Sequence, residues 1–327
     1  MKTSSARTRV RVIDLAPPGS NLRGEFVNGL RRSPKRIPPK LFYNERGSQL
    51  FDQICELQEY YPTRTEVSIL KAYAGEIAAV CGPRCRLVEL GSGSSTKTTL
   101  LLDRLDDPAA YVPIDISRPH LLAAAERISE RYEKLEVLPV CADYTQVLHI
   151  PRPAVPANYT AFFFPGSTIG NFEPEAATAF LGQLARACSP RDRLIIGVDL
   201  VKNHHVLHCA YNDPQGVTAA FNLNVLQRAN EEFSAEFSLN HFKHKAIYNE
   251  EQQRIEMQIV STRKQSVRVG EETFRFESGE KITTEHSYKY LPGTFAAMAH
   301  HSGWHQIALW TDPLQWFGVF AFESMPP

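Results

Sequence analysis

The sequence has few cysteines for its length, no excess charge of either sign and no long apolar run. Its six cysteines are scattered through 327 residues, which predicts reduced thiols rather than a disulfide framework. The formal net charge is zero, so the charge balance predicts binding neither to nucleic acid nor to a membrane surface. No run approaches the roughly 18 apolar residues that cross a bilayer. We therefore expect a globular, cytoplasmic protein.

Sequence signals of secretion, zinc binding and serine hydrolysis are also missing. Residues 1–7 are basic and polar but lack the apolar core of a secretory signal. Cys81 and Cys85 have no second pair that would complete a zinc site, and His204-His205-x-x-His208 has no carboxylate at a useful spacing. No G-x-S-x-G turn supports a hydrolytic triad. We expect no metal site.

A strand, a glycine turn and a helix follow one another in the first third of the chain. Residues 87–90 form a short apolar run typical of a buried parallel strand. Gly91-Ser92-Gly93 comes next, where missing side chains permit unusual dihedral angles and close approach of a ligand. Residues 96–105 then carry apolar residues as a helix packed on a sheet would. This order predicts a doubly wound α/β fold with its ligand at the carboxyl end of the strand.

Three ligand classes compete for the glycine turn. A dinucleotide fingerprint needs a third glycine where Thr96 stands, and a P-loop needs its second glycine at the same position, although Lys97 and Thr98 match. S-adenosylmethionine (SAM) needs only a short Gly-x-Gly turn and an acid after the next strand for its ribose hydroxyls. The turn therefore favours SAM, and a degenerate P-loop for a nucleotide phosphate remains the alternative.

Carboxylates also end the next two predicted strands. Asp115 ends the apolar run 111–116, 24 residues after Gly91, where one carboxylate can accept from both ribose hydroxyls. An N-cap or turn role for Asp115 is the other possibility. Asp143 follows the predicted strand 135–140 and could accept from the adenine amine, with Tyr144 beside the base. These strand ends predict an adenosine site at one edge of the sheet.

The rest of the chain predicts a two-domain α/β protein. Before the first strand, Pro62 is expected to exclude Tyr61 from the helical conformation, and Thr63 or Thr65 to cap the following helix. Period-two alternation between residues 245 and 290 predicts antiparallel strands, and residues 305–322 a closing hairpin. The predicted parts are a loose arm (1–20), a helical part of the substrate domain (21–80), a SAM-binding domain (81–200), an α+β substrate-binding segment (201–295) and closing elements of the main domain (296–327).

Five segments together resemble one enzyme family. They are Tyr43 with Gly47-Ser48, then residues 59–66, 89–93, 166–171 and 216–222. They look like the SAM-dependent histidine Nα-methyltransferases, which make hercynine, the trimethylated betaine of histidine, for ergothioneine biosynthesis. The resemblance spans nearly the whole chain after about residue 20. It implies a Rossmann-like class I methyltransferase sheet with a smaller substrate domain, SAM as methyl donor, L-histidine as substrate, and a monomer without metal.

The resemblance also implies the site residues. Around the amino acid, the catalytic residues would be Tyr43 and Asn171, and the substrate-binding residues Tyr60, Gly166, Asn171, Tyr211, Met257, Glu285 and Ser287. Tyr60, Asn171 and Tyr211 would hold the α-carboxylate and α-amine, with Tyr43 and the Gly166 backbone near the amine. Around the cofactor, the matching residues are Gly91, Lys97, Asp115, Asp143 and Tyr144, the last standing where phenylalanine is common.

Glu285 and Ser287 resemble the imidazole clamp of that family. Strand alternation points both to one face, and a carboxylate on one ring nitrogen with a hydroxyl on the other suits histidine. Without the resemblance they would be an ordinary exposed strand face. Methylation of another amino acid such as tryptophan, or a non-catalytic SAM sensor, are the alternatives.

The reaction requires an unprotonated α-amine, whose ordinary pKa is about 8. Burial and the neighbouring sulfonium lower that pKa. We therefore expect desolvation and Tyr43, directly or through water, to remove the proton without a strong base. Aromatic walls such as Tyr43, Phe51 and Tyr60 are expected to stabilise the trimethylammonium product.

Overall fold

The computed structural model describes residues 12–15, 21–93, 95–146 and 149–326. The helices in these residues are α1 (Leu22–Arg31), α2 (Glu45–Glu56), α3 (Tyr61–Cys81), α4 (Thr96–Leu102), α5 (Arg118–Arg131), α6 (Pro174–Ala187), α7 (His204–Tyr211), α8 (Val217–Glu232) and α9 (Pro292–His301). The strands are β1 (Ile13–Asp14), β2 (Lys35–Arg36), β3 (Cys85–Leu90), β4 (Ala110–Asp115), β5 (Val140–Cys141), β6 (Tyr159–Phe164), β7 (Arg193–Asp199), β8 (Phe242–Asn249), β9 (Arg254–Ser261), β10 (Gln265–Val269), β11 (Glu272–Phe276), β12 (Lys281–Tyr288), β13 (Trp304–Thr311) and β14 (Phe317–Ser324).

The main sheet has the strand order β1-β5-β4-β3-β6-β7-β14-β13. Its strands are parallel from β1 to β7, whereas β14 runs antiparallel to both β7 and β13. Leu87, Val88 and Leu90 of β3 are buried on both faces, as expected for a parallel strand covered by helices on each side. The predicted α/β class, the Rossmann-like sheet and the closing hairpin are confirmed.

The buried side chains of the described residues form three apolar clusters. Two cover opposite faces of the main sheet, because alternate residues of β6 such as Phe162 and Phe163 point to opposite sides. The third fills the space between α1, α8 and a four-stranded sheet of order β2-β12-β9-β8, and includes Phe26, Phe221 and Ile259. This separation supports the predicted division into a SAM-binding domain and a substrate domain, which stays a prediction.

The N-terminal and third-strand regions differ from expectation. Of the predicted loose arm, residues 1–11 and 16–20 lie outside the described residues, but Ile13–Asp14 forms β1 and pairs in parallel with β5. An open strand edge offers unpaired backbone groups that such a segment can use. The third strand shrinks to Val140–Cys141 with a bridge at Val137, because Pro139 cannot donate to a ladder.

Helix α3 begins earlier than the sequence predicts. Tyr61 is its first residue, and Pro62 lies in the first turn, where the missing N–H of proline is not needed. The predicted exclusion of Tyr61 from the helix is therefore wrong. Thr63 and Thr65 lie inside α3, and Tyr60 occupies the N-cap position without a side-chain capping bond, so the predicted threonine cap is also wrong.

Candidate active site

A cavity lies at the carboxyl edge of the main sheet. The strand order reverses between β3 and β6, and ligands of doubly wound sheets bind at such a reversal. All eight residues predicted around the amino acid line it: Tyr43, Tyr60, Gly166, Asn171, Tyr211, Met257, Glu285 and Ser287. The structure thus brings together residues from widely separated segments, and their individual roles stay predictions.

The carboxylate of Glu285 lies on one wall of this cavity. Glu285 and Ser287 occupy alternate positions of β12, and Met257 on β9 stands directly opposite Glu285. Asn171 Nδ2 donates to Glu285 Oε2 at 3.1 Å. Burial raises the pKa of Glu285 to about 7, against the opposing charge of Lys289. The wall therefore presents a carboxyl group that takes up a proton near neutral pH unless a cation lies beside it.

Lys289 lies behind Ser287 and was not among the predicted residues. Its ammonium contacts Ser287 Oγ at 2.7 Å, Tyr211 Oη at 3.1 Å and Asp199 Oδ2 at 2.8 Å. The two hydroxyl oxygens lie 2.9 Å from each other. Strand alternation continues from Glu285 through Ser287 to Lys289, and this pattern could have revealed the lysine.

Asp199 ends β7 and anchors a buried polar network. Tyr61 Oη donates to its carboxylate at 2.7 and 2.9 Å, and Lys202 pairs with it at 2.5 Å. Although burial opposes the shift, Lys202 and Lys289 lower the pKa of Asp199. Asp199 was also missed, but an acid directly after an apolar strand is the same signal that singled out Asp115. This network forms a fixed floor of charged side chains under the cavity.

A third unpredicted residue, Glu66 of α3, connects the predicted substrate and cofactor sides. Its carboxylate accepts the N–H of Gly166 at 2.9 and 3.0 Å and pairs with Lys97 at 2.5 Å. A Cβ at Gly197 would lie only 2.1 Å from Glu66 Oε1, so glycine there leaves room for the carboxylate. Because the N–H of Gly166 is engaged, only its carbonyl is available to a substrate amine. The sequence feature that could have singled out Glu66 is the position of a carboxylate within the apolar stripe of α3.

Aromatic rings line the other side of the cavity. Tyr43 lies edge-on to Phe51 and Phe221 at 5.9 Å from each, and Tyr60 contacts Tyr211 at 6.2 Å between ring centroids. Burial raises the pKa of both Tyr43 and Tyr60 well above the ordinary value. Both phenols therefore stay neutral and act through hydrogen bonds and ring faces.

The glycine turn has the features of a nucleoside site. Gly91 has φ of +70°, and a Cβ there would meet the Tyr144 ring at 3.4 Å. Asp115 accepts from the N–H groups of Gly93 at 3.0 Å and Ser117 at 2.8 Å. Asp115 thus holds the turn, and its remaining lone pairs can still accept ribose hydroxyls. The hydroxyl of Ser92 is buried without a partner in the described residues, so the turn fits a polar ligand.

Asp143 already has partners. It accepts from the N–H and hydroxyl of Thr145 at 3.0 and 2.6 Å and from Lys40 Nζ at 3.1 Å. Although burial opposes the shift, these contacts lower the pKa of Asp143. Tyr144 packs edge-on against Phe164 at 5.5 Å. An adenine amine at Asp143 would therefore share that carboxylate with Lys40.

The alternative phosphate site finds no support in this geometry. A P-loop lysine binds the phosphates, whereas Lys97 is paired with the buried carboxylate of Glu66. Among the described residues no cluster of three or more His, Cys, Asp or Glu side chains is arranged to hold a metal ion. The same residues include no helix that combines the length and apolarity of a membrane span.

The sequence profile described as "Histidine-specific methyltransferase, SAM-dependent" matches residues 22–324. The chain belongs to this family. It is 43% identical over 304 residues to the Histidine N-alpha-methyltransferase of Mycobacterium tuberculosis, covering 91% of this chain and 93% of that protein. It is 42% identical over 307 residues to the protein of that name from Mycolicibacterium smegmatis, with the same coverage. Ergothioneine biosynthesis protein 1 of Neurospora crassa is 31% identical over 300 residues, 89% of this chain and 34% of that longer protein.

Membership of the histidine-specific methyltransferases confirms several predictions together. The suspected family, the SAM-dependent methyltransferase activity and SAM as methyl donor all agree with the matched profile. The residues around the glycine turn fit the cofactor, because Gly91 offers space, Asp115 offers acceptors and Ser92 offers a hydroxyl that has no partner among the described residues. The nucleotide-phosphate alternative is set aside.

Proposed function

We propose that the protein transfers three methyl groups from SAM to the α-amine of L-histidine and releases hercynine for ergothioneine biosynthesis. The observation that carries this proposal is the meeting of Glu285 and Ser287 with Tyr60, Asn171 and Tyr211 in one cavity. The first pair suits an imidazole ring, and the other three can donate to a carboxylate. Two relatives above 40% identity carry the name Histidine N-alpha-methyltransferase, which supports the same substrate.

The cavity residues orient the amino acid from both ends. Tyr60, Asn171 and Tyr211 hold the α-carboxylate, while Glu285 and Ser287 hold the ring. The α-amine then faces the carbonyl of Gly166, whose N–H is already engaged by Glu66. Fixing both ends aligns one nitrogen for reaction, which is the main contribution that a methyl transfer needs from its protein.

Gly91, Lys97, Asp115, Asp143 and Tyr144 would hold SAM, which when bound supplies an activated methyl group on its sulfonium. The protein keeps the α-amine unprotonated by excluding water, because desolvation lowers the pKa of an amine. Tyr43 remains neutral, since burial raises its pKa. It therefore acts as a hydrogen-bond partner of the amine or of a water and not as a phenolate base.

The aromatic side of the cavity serves the later transfers. The first two transfers each replace an N–H of the neutral amine by a methyl group and release a proton, and the third adds a methyl group to the remaining lone pair, so the head group grows and ends as a permanent cation. Tyr43, Phe51, Tyr60 and Phe221 surround the cavity with ring faces, and such faces stabilise a quaternary ammonium. The same pocket can therefore accept the amine and its mono- and dimethyl forms.

The direct test is product analysis by mass spectrometry. The protein is incubated with SAM and either L-histidine or L-tryptophan, and methylated products are followed over time. We expect mono-, di- and trimethylhistidine in succession, with far slower methylation of tryptophan. Tryptophan as the preferred substrate would contradict the proposal.

We further propose that the enzyme is a cytoplasmic monomer. Sedimentation velocity tests the oligomeric state.

A further inference from the structure

The ammonium of Lys289 uses all its donors on three acceptors. It has three N–H groups and contacts Asp199 Oδ2 at 2.8 Å, Ser287 Oγ at 2.7 Å and Tyr211 Oη at 3.1 Å. Its side chain is 1% exposed. Although burial opposes the shift, Asp199 raises the pKa of Lys289, so the lysine stays charged. Both hydroxyl oxygens therefore accept a hydrogen bond from Lys289.

Only one of these two hydroxyls can then donate a hydrogen bond to the substrate. Tyr211 Oη and Ser287 Oγ lie 2.9 Å apart, so one hydroxyl proton lies between them. Each hydroxyl has one proton, and only the other proton of the pair can point into the cavity. The pair therefore offers the substrate one donor and one acceptor, and not two donors.

The α-carboxylate decides which hydroxyl donates. In the proposed function Tyr211 faces that carboxylate, and an ionised carboxylate only accepts hydrogen bonds. Tyr211 must then donate to the substrate, so Ser287 donates to Tyr211 and turns its remaining lone pair toward the ring. The opposite direction would place a phenol lone pair against the carboxylate, which is repulsive in a low-dielectric cavity.

Glu285 adds a second acceptor on the ring side. Glu285 lines the cavity; its Oε2 accepts from Asn171 at 3.1 Å, and among the described residues no hydrogen-bond donor contacts its other oxygen. We propose that the site binds the histidine ring as an imidazolium, with one ring N–H on Glu285 and the other on Ser287. This inference rests on the proposed function, because it uses the placement of the carboxylate at Tyr211.

The charges around the ring favour this state. The titratable groups facing Glu285 are Tyr43, Tyr60 and Tyr211, all of which have raised pKa values, and Lys289. Asp199 pairs with Lys289, so Glu285 lacks a full counter-ion in the free cavity. Burial raises the pKa of Glu285 to about 7, and a cationic ring beside it lowers that value again. A buried carboxylate is thus neutralised by the substrate itself.

Hercynine is the probe that isolates the ring, because its trimethylated nitrogen cannot titrate. Calorimetry measures its binding to the enzyme with S-adenosylhomocysteine at pH 8.5, in buffers of different ionisation enthalpy. A free imidazole with pKa about 6.5 is neutral there, so we expect uptake of about one proton per hercynine bound. Ring-15N hercynine should show two protonated nitrogens by NMR. Binding without proton uptake overturns the inference and leaves the proposed function standing, whereas no binding of hercynine overturns both.

Two tyrosine variants test the role of the hydroxyl pair. Tyr211→Phe frees the Ser287 proton for a neutral ring, so proton uptake should fall well below one while affinity also falls. Tyr60→Phe is the matched control, since it removes another hydroxyl expected at the carboxylate but one without a described contact to Ser287. It should weaken binding and keep the uptake of about one proton. Equal uptake in both variants would overturn the assignment of Ser287 as an acceptor, and if Tyr211→Phe does not fold, the NMR measurement on the wild type decides.

Discussion

Glu66 Oε2 and Lys97 Nζ form an ion pair at 2.5 Å, and the same carboxylate accepts the N–H of Gly166 at 2.9 Å. The contact joins α3, the helix after the glycine turn and the loop after β6. Lys97 belongs to the predicted cofactor set and Gly166 to the predicted substrate set. A residue outside both sets therefore fixes the two halves of the site relative to each other.

Glu66→Gln should loosen this connection. Glutamine keeps an acceptor for Gly166 but leaves Lys97, whose side chain is 19% exposed, without its counter-ion. We expect a loss of about 1–3 kcal/mol in the free energy of unfolding and a fall of at least about 10-fold in kcat/KM. Urea unfolding and initial rates measure both. Glu126→Gln, at an exposed position of α5, is the control. Identical behaviour of the two variants would refute a connecting role for Glu66.

Tyr43→Phe should slow at least one of the three methyl transfers. The variant keeps the aromatic ring and removes the hydroxyl that we place beside the amine. Loss of one such hydrogen bond predicts a reduction of roughly 5-fold to 10-fold. Single-turnover rates, measured separately from histidine and from its mono- and dimethyl forms, locate the affected step. Tyr73→Phe, outside the cavity lining, should change none of them. Three unchanged rates in Tyr43→Phe would remove this role.

Glu285→Gln should stabilise the protein at alkaline pH while abolishing tight histidine binding. The pKa of Glu285 is raised to about 7 in the fold from an ordinary 4.5. Its stabilising contribution is therefore present below about pH 4.5 and is lost as the pH rises through 7. We expect the variant to exceed the wild type by about 2–3 kcal/mol at pH 8.5 and to match it near pH 4.5. Unfolding curves at both pH values test this, and a difference that does not vary with pH contradicts it.

Asp115→Asn should weaken cofactor binding. The carboxylate holds the N–H groups of Gly93 and Ser117, and an amide has only one acceptor oxygen for these and the ribose. We expect the Kd of S-adenosylhomocysteine to rise at least about 10-fold. Asp103→Asn, at the exposed end of α4, is the calorimetric control. Unchanged affinity in Asp115→Asn would show that the cofactor does not use this carboxylate.

The main sheet could be predicted because its signals are local. Each central strand is a short apolar run, and a glycine or a carboxylate marks its end, as at Gly91 and Asp115. The grouping of Tyr60, Asn171 and Glu285 came from family resemblance, because no local pattern relates positions on three different elements. The structure then placed them in one cavity.

The site features that could not be predicted depend on contacts between residues far apart in the sequence. Glu66 is 100 residues from Gly166, and Tyr61 is 138 residues from Asp199. The sequence shows that Glu66 lies in an apolar stripe and that Asp199 ends an apolar strand, but it does not show which residues they contact. The early start of α3 was missed for a local reason. Pro62 was expected to exclude Tyr61 from the helix, but the first turn of a helix tolerates proline.

The central claim is that this cavity recognises histidine through Glu285. The most direct measurement is calorimetric titration of L-histidine and L-tryptophan, each with S-adenosylhomocysteine present, on the wild type and on Glu285→Ala. We predict that the wild type binds histidine at least about 10-fold more tightly than tryptophan, and that the variant loses this preference. Equal binding of the two amino acids by the wild type, or an undiminished preference in Glu285→Ala, would contradict the claim.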